Sequence, residues 1–217
     1  MLKLLRNEAL ATARCALYRL EHQPIARQSG TDVQQATLIV HGLMGRAQMF
    51  YPMADYLGQK GLSRIAYVEY PSKTSTIDDI IYRIQTTMRM HNASHWNIVA
   101  HSLGAVAVRA ALKKDQLDVK IRRFIALGAP FNGTKWYPLA PPLLREAFDP
   151  KGDWCKQLNT LPEPDSLRIV RARHDQNVRP SRNASLQSVP ETVLSHVGHN
   201  GLINHPDVFK AVWSFLM

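Results

Sequence analysis

Apolar residues along this chain follow two alternating rhythms, short continuous runs and longer stretches spaced at three and four. The runs read as buried strands: Thr37 to Val40 (TLIV), Ser63 to Glu69 (SRIAYVE), Trp96 to Ala100 (WNIVA), Phe124 to Leu127 (FIAL), Leu167 to Ala172 (LRIVRA) and a short last one, Thr192 to Ser195. Between them lie helical stretches: one around Met49 to Gln59, one in which Ile77, Ile80, Ile81, Ile84 and Met88 recur at helical spacing, and one rich in alanine and valine from Leu103 to Lys113. Thr76 with Asp79 three residues on is a capping-box pattern for the second of these. A closing helix begins at Pro206, whose fixed φ suits a first helical position, and carries Val208, Phe209, Val212, Trp213 and Leu216 inward. Strands that alternate with helices need crossover connections. The expected fold is therefore α/β, a minimal and mostly parallel sheet of about six strands with helices on both faces.

Two segments break the rhythm. Residues 134–166 are long, rich in proline and studded with Trp136, Tyr137, Leu139, Leu143, Leu144, Phe148 and Trp154. An apolar insertion after a strand end is where a short cap or lid over a pocket would sit. Residues 1–35 form the other: an amphipathic helix followed by a polar linker, Gln23 to Gln35, with the main domain expected over 36–217. In the helix, Leu2, Leu5, Ala9, Ala13, Ala16 and Leu20 share a face, with Leu10 and Leu17 beside it and Lys3, Asn7, Arg14 and Glu21 opposite. Such a helix either docks on the domain through its apolar face or lies as a basic helix in a membrane interface. Its arginines and scarcity of acids also suit a transit peptide.

Composition narrows the picture. With 217 residues, 45% hydrophobic and 20% charged, the chain is long enough for one well-buried domain. No run approaches the roughly 18 to 20 apolar residues of a membrane span, and no secretory signal is evident. A cytoplasmic protein, membrane-associated at most through its first helix, is expected. The formal charge of +10 suits an anionic partner or a generally basic surface. Basic residues form only modest runs, such as Lys113-Lys114 and Lys120 to Arg123, and no nucleic-acid module accompanies them, so nucleic acid is not expected as a partner. Cys15 and Cys155 read as two free thiols, with a single long-range bridge as the alternative.

The candidate chemistry lies at the strand ends. In NIVAHSLGA, residues 97–105, a buried strand ends in a tight turn and a small-residue helix follows at once. A serine on so sharp a turn needs small residues two before and two after it, and Ala100 and Gly104 supply them. This is a nucleophile elbow for Ser102, unless Ser102 merely caps the helix. In LIVHGLMG, residues 38–45, another strand runs into a flexible turn. The backbone amides of Leu43 and Leu103 can then form an oxyanion hole, with His41, Gly42 and Met44 beside the pocket. A serine hydroxyl is a poor nucleophile until an imidazole takes its proton. Of nine histidines, His199 is the best placed, in a glycine-flanked loop (VGHNGLINHP, residues 197–206) after the last strand. His196 falls on that strand's end, His205 caps or precedes the final helix, and His41 and His101 serve local hydrogen bonds. In RARHDQNVRP, residues 171–180, Asp175 follows a strand end within three residues and can orient the imidazole, or else it is a surface carboxylate near Arg171, Arg173 and Arg179. The order nucleophile, acid, histidine matches the α/β-hydrolase order.

These motifs carry a resemblance. VAHSLGA and VGHNGLI resemble the bacterial lipase and esterase branch of the α/β-hydrolase superfamily, most closely its small, nearly lidless Bacillus-type lipases. LGAPFNGTKW, residues 127–136, resembles the LGTPHxGT segment of a related lipase-like group, in which a lid-like stretch ends in a leucine-asparagine pair as WCKQLN, residues 154–159, does here. The similarity covers roughly residues 36–217. It implies the same nucleophile, acid, base and oxyanion donors, and acyl transfer to water through an acyl-serine with no metal or organic cofactor. Phe131 stands where the related group often has histidine, which implies a more apolar pocket wall, and Trp136 is expected to line that pocket as well. The shortness of the insertion speaks against interfacial activation. The expected substrate is a carboxylic ester with an apolar, lipid-like acyl group. A thioesterase or acyltransferase would use the same three residues, and a hydrolase-fold binding protein would have no need to keep all of them.

Overall fold

The computed structural model describes residues 1–18, 27–28, 34–62 and 64–217. Residues 23–26 and 29–33 of the linker expected over 23–35 therefore lie outside the described residues, as do Leu20 and Glu21. Among the described residues seven strands form one sheet in the order β1-β3-β2-β4-β5-β6-β7. β1 (Arg27–Gln28) pairs antiparallel with β3 (Arg64–Val68) at one edge. The other six are the strands expected, all parallel: β2 (Gln35–Val40), β3, β4 (His95–His101), β5 (Lys120–Leu127), β6 (Leu167–Ala172) and β7 (Glu191–Leu194). β7 ends two residues before His196, which therefore belongs to the loop and not to the strand.

Every strand but the edge ones is covered on both sides, and two hydrophobic cores result. One lies beneath α3 (Ile77–His91) and α4 (Leu103–Lys113), with Trp96, Ile98, Phe124 and Ile169 at its centre. The other lies beneath α2 (Tyr51–Gln59) and α7 (Pro206–Leu216), with Phe50, Val99, Ile125 and Val212. The apolar stripe of α3 is buried as its spacing requires, and its capping box forms: Thr76 Oγ1 accepts from Asp79 N at 3.1 Å while the Asp79 carboxylate accepts from Thr76 N at 2.8 Å. His205 caps α7 by accepting from Asp207 N at 3.2 Å. Strand order reverses between β3-β2 and β4-β5, so connections leave β2 and β4 toward opposite sides. A crevice opens where their carboxyl ends diverge, the general place for ligands in an open parallel sheet.

The insertion 134–166 folds into short helical turns with α5 (Arg145–Phe148) and α6 (Asp153–Thr160). Its apolar residues divide between the core (Leu144, Phe148, Leu158) and the crevice. α6 is fastened to α4: the buried Arg109 guanidinium donates to both Glu163 carboxylate oxygens and, at 2.8 Å, to Asn159 Oδ1, while Lys113 reaches Glu163 at 2.6 Å. Removing one partner of a buried ion pair costs several kcal/mol, so this end of the insertion is a pinned wall.

α1 (Leu2–Tyr18) docks on the domain, but not through the face its leucines and alanines define. Ala11 and Cys15 are buried, with Leu4, Asn7, Glu8 and Tyr18 partly so, whereas Leu2, Leu5, Leu10 and Leu17 remain exposed. The surface beneath presents backbone polar groups: His196 O accepts from Asn7 Nδ2 at 2.8 Å, and Glu8 meets the amides of Asn200 and Gly201. A polar face fits it better than an apolar one. Both cysteines are buried and neither is in a disulfide among the described residues, and burial pushes the Cys155 thiol up to about 11. No described helix is long and apolar enough to cross a membrane.

Candidate active site

The carboxyl ends of β2 and β4 deliver two turns to the crevice. Ser102, the first residue past β4, has φ 51° and ψ −120°, a strained conformation for a residue with a side chain. Strain of about 1–3 kcal/mol persists only where the surroundings over-determine it. They do so here, since Ser102 N donates to Leu127 O at 2.9 Å while Ser102 O accepts from Ala105 N at 3.1 Å and Val106 N at 3.2 Å in the first turn of α4. Gly104 shows why small residues must follow: a Cβ there would lie 2.3 Å from His41 O and 2.8 Å from Val40 Cγ1. Strand and helix backbones nearly touch, and the serine is lifted over the sheet.

The turn after β2 is braced from three sides. The Tyr70 hydroxyl donates to His41 O with the two rings stacked 4.1 Å apart, Ser72 Oγ accepts from Met44 N at 2.7 Å, and Glu69 accepts from Ala47 N at 2.6 Å. Leu43 lies in the middle of this braced turn. Leu103 opens α4, so its amide is one of those a helix leaves unpaired at its N-terminus. His41 spends its Nδ1 on Gly42 O at 2.9 Å, a local role as expected from the sequence.

The loops after β6 and β7 bring the other two side chains. His199 Nδ1 lies 2.8 Å from Asp175 Oδ2, both side chains buried. Asp175 is held in turn, its Oδ1 accepting from Asn177 N and Val178 N at 2.8 Å each, so it is not a surface carboxylate. A carboxylate can only accept. In the neutral ring Nδ1 therefore carries the proton and Nε2 the lone pair. Burial disfavours the imidazolium, but the charge and hydrogen bond of Asp175, with Glu8 beyond it, outweigh burial and raise the His199 pKa above its ordinary value.

His199 is also fixed through its backbone. Gln176 Oε1 accepts from His199 N at 2.9 Å, and His101 Nε2 lies 3.2 Å from His199 O with the two rings 4.5 Å apart. A carbonyl oxygen accepts only, so His101 is the donor there. Its pKa falls well below the ordinary value, chiefly through burial and then through the neighbouring His199.

Ser102 and His199 line one cavity of about 550 Å³. His41, Gly42, Leu43, Met44 and Trp136 line it with them. Phe131 does not. It turns into the core, only 2% exposed, with the Arg109 guanidinium 5.1 Å over its ring, and its neighbour Pro130 takes the place at the wall. The apolar character expected from Phe131 comes instead from Met49, Phe50, Leu139, Phe148 and Ile203. Gln176 and His101 were visible in the sequence only as neighbours of Asp175 and Ser102. Their roles depend on where the His199 loop comes to lie. His196 pairs with Asp207 at 3.0 Å, apart from this cavity.

A serine on a strained turn at the switch point of a parallel sheet, answered by a histidine and an acid from the later strands, is the architecture of the α/β-hydrolases. Within that class the chain belongs to the serine hydrolase family, whose model matches residues 37–214. No curated protein sequence matches it. Among solved structures it is similar to the mature form of the lipase BlEst2 of Bacillus licheniformis, with a TM-score of 0.65 and 16% identity over 90% of this chain and 96% of that one. It is similar also to carboxylesterase CesB of Bacillus subtilis, with a TM-score of 0.59 and 14% identity over 100% and 99% of the two chains. A third is the naproxen esterase of the same organism, at 0.62 and 12% over 98% of each. At such identities the likeness is one of fold.

Proposed function

We propose that this serine hydrolase cleaves carboxylic esters with apolar, lipid-like acyl groups through an acyl-Ser102 intermediate. The observation that carries the reading is the buried His199–Asp175 pair, whose histidine lines one apolar-walled cavity together with Ser102. Ser102 Oγ attacks the ester carbonyl as His199 Nε2 takes its proton, and the Leu43 and Leu103 amides receive the developing oxyanion. His199 then returns the proton to the leaving alcohol. Water, deprotonated by the same nitrogen, releases the acid and restores the serine.

A p-nitrophenyl ester series tests the substrate class. Burying each added methylene stabilises by about 0.8 kcal/mol, so kcat/KM is expected to climb roughly fourfold per carbon until the cavity is filled. A flat or falling series from acetyl to octanoyl would exclude apolar acyl groups. Side-by-side thioesters and an added alcohol acceptor separate hydrolysis of oxygen esters from thioester cleavage and from transfer.

The same reading includes contact with an anionic lipid surface through α1. Its outer face shows Leu2, Leu5, Leu10 and Leu17 with Lys3, Arg6 and Arg14 on the same helix, and the whole chain carries +10. Apolar residues among cations are what an anionic interface takes. Cosedimentation with phosphatidylserine vesicles, weaker with phosphatidylcholine and lost in Leu5→Gln/Leu17→Gln, is expected. Equal sedimentation of the variant would refute it, and a dimer abolished by the same changes would assign the face to a second copy.

A further inference from the structure

We propose that Glu8 is a positioning residue for His199: from α1 it ties the His199 loop to the Asp175 loop, and so makes α1 a working part of the active site. This rests on the reading of His199 as the base. Glu8 Oε1 accepts from Asn200 N at 2.7 Å and Oε2 from Gly201 N at 2.9 Å, the two amides directly after His199. Gln176, directly after Asp175, donates through Nε2 to Glu8 Oε1 and accepts through Oε1 from His199 N at 2.9 Å. One carboxylate from the start of the chain therefore closes a ring of hydrogen bonds around the backbone of His199. Without it the amides of Asn200 and Gly201 and the Gln176 amide group lose their acceptor, and the Gln176 oxygen that receives His199 N is no longer held in place.

The glycines of the loop bear this out independently. Gly198 and Gly201 do not have positive φ, so their backbone conformation does not call for glycine. What calls for it is space. A Cβ on Gly198 would lie 2.6 Å from Glu8 Cδ and Oε2 and 2.7 Å from Gln176 Oε1, and one on Gly201 would lie 3.0 Å from Val197 Cβ and 3.2 Å from Glu8 Oε2. The glycines that flank His199 leave room for the carboxylate. Electrostatics acts in the same direction. Around the ring stand Asp175, Glu8 and His101; burial opposes the imidazolium, and Glu8 joins Asp175 in favouring it. The transition state forms that imidazolium, so the Glu8 charge stabilises it as well as placing it.

The test compares Glu8→Gln, Gly198→Ala and Asn7→Ala in the full chain, reading kcat, KM, the pH profile of kcat/KM, melting temperature and the rate of fluorophosphonate labelling. Glu8→Gln keeps the shape but turns an amide N–H toward Gly201 N–H and removes the charge. Misplacement of a reacting group by about 1 Å costs up to 100-fold, so kcat and the labelling rate are expected to fall roughly 10- to 100-fold with KM nearly unchanged. The acid limb should move to lower pH, because a charge that raises the His199 pKa is gone; loosened packing alone would not move it. Gly198→Ala pushes away only the far end of a flexible side chain, so it folds and should lower kcat likewise, which keeps the test valid should Glu8→Gln not fold. Asn7→Ala breaks a docking bond to His196 O and should lower the melting temperature while keeping kcat. Wild-type kcat and acid limb in folded Glu8→Gln and Gly198→Ala would overturn the inference, as would an equal loss in Asn7→Ala. A wild-type protein that does not label would instead sink the reading of Ser102 and His199.

Discussion

Ser102→Ala is expected to lower kcat by about 10⁶-fold and to abolish fluorophosphonate labelling, with the fold intact. The loss is large because, in the proposed mechanism, the serine, its base and the acid act as a unit. Once the nucleophile is gone, His199 and Asp175 have nothing to activate except water, which is not held in the attacking position. A residual rate of about 10³- to 10⁴-fold over the uncatalysed reaction should remain, since the proposed Leu43 and Leu103 oxyanion donors are backbone amides that the substitution leaves in place. The fold survives for a local reason. Ser102 makes its structural contacts through the backbone, N to Leu127 O and O to the first turn of α4, and alanine keeps both. Alanine at φ 51° carries the same strain that serine does. Denaturant midpoints of the two proteins should therefore agree closely. A folded Ser102→Ala protein that turns over at the wild-type rate would place the nucleophile elsewhere in the chain.

Asp175→Asn is expected to cost roughly 10⁴-fold in kcat. The geometry explains why so small a change reaches so far. Asn177 N and Val178 N both donate to Oδ1, so the asparagine oxygen must face them. Its amide NH₂ then points at His199 Nδ1, where a carboxylate oxygen accepted before. Nδ1 must now accept, the proton moves to Nε2, and the lone pair that should take the serine proton is on the wrong side of the ring. The pH profile gives a second readout. The proposed base must be neutral to act, and because Asp175 and Glu8 together outweigh burial, the wild-type acid limb should lie above the ordinary imidazole value. Removing the Asp175 charge leaves burial dominant, so the limb of the residual activity should move to lower pH. A limb that stays in place, with kcat unchanged, would mean that another acid serves the histidine.

Much of the site was legible because its constraints are local. Ser102 must have small residues at 100 and 104 wherever such a turn is made, and the strand and helix that flank it announce themselves by period. Asp175 and His199 follow strand ends by a few residues, in the order the fold demands. Phe131 shows where local reading stops. It lies one residue from a wall position, and whether Pro130 or Phe131 faces the crevice depends on how the loop after β5 packs against Arg109 on α4.

The N-terminal helix is the sharper case. Its spacing predicts an amphipathic helix through Glu21, and residues 2–18 are helical, yet the docked face is the one with Asn7, Glu8, Ala11 and Cys15. Hydrophobic periodicity ranks faces by what they gain on leaving water. It says nothing of the receiving surface, which here offers unpaired amides that a carboxylate satisfies and a leucine cannot.

From its residues alone the chain determined the six parallel strands, the covering helices, and which serine, histidine and acid stand at the strand ends, because period, turn sterics and chain order are properties of short segments. Only the tertiary structure decided which side chains wall the cavity, how His101 and Gln176 grip the backbone of His199, and why glycines flank it. Those depend on segments far apart in sequence meeting within hydrogen-bond distance, such as Glu8 and Gly201, and no short-range pattern encodes that meeting.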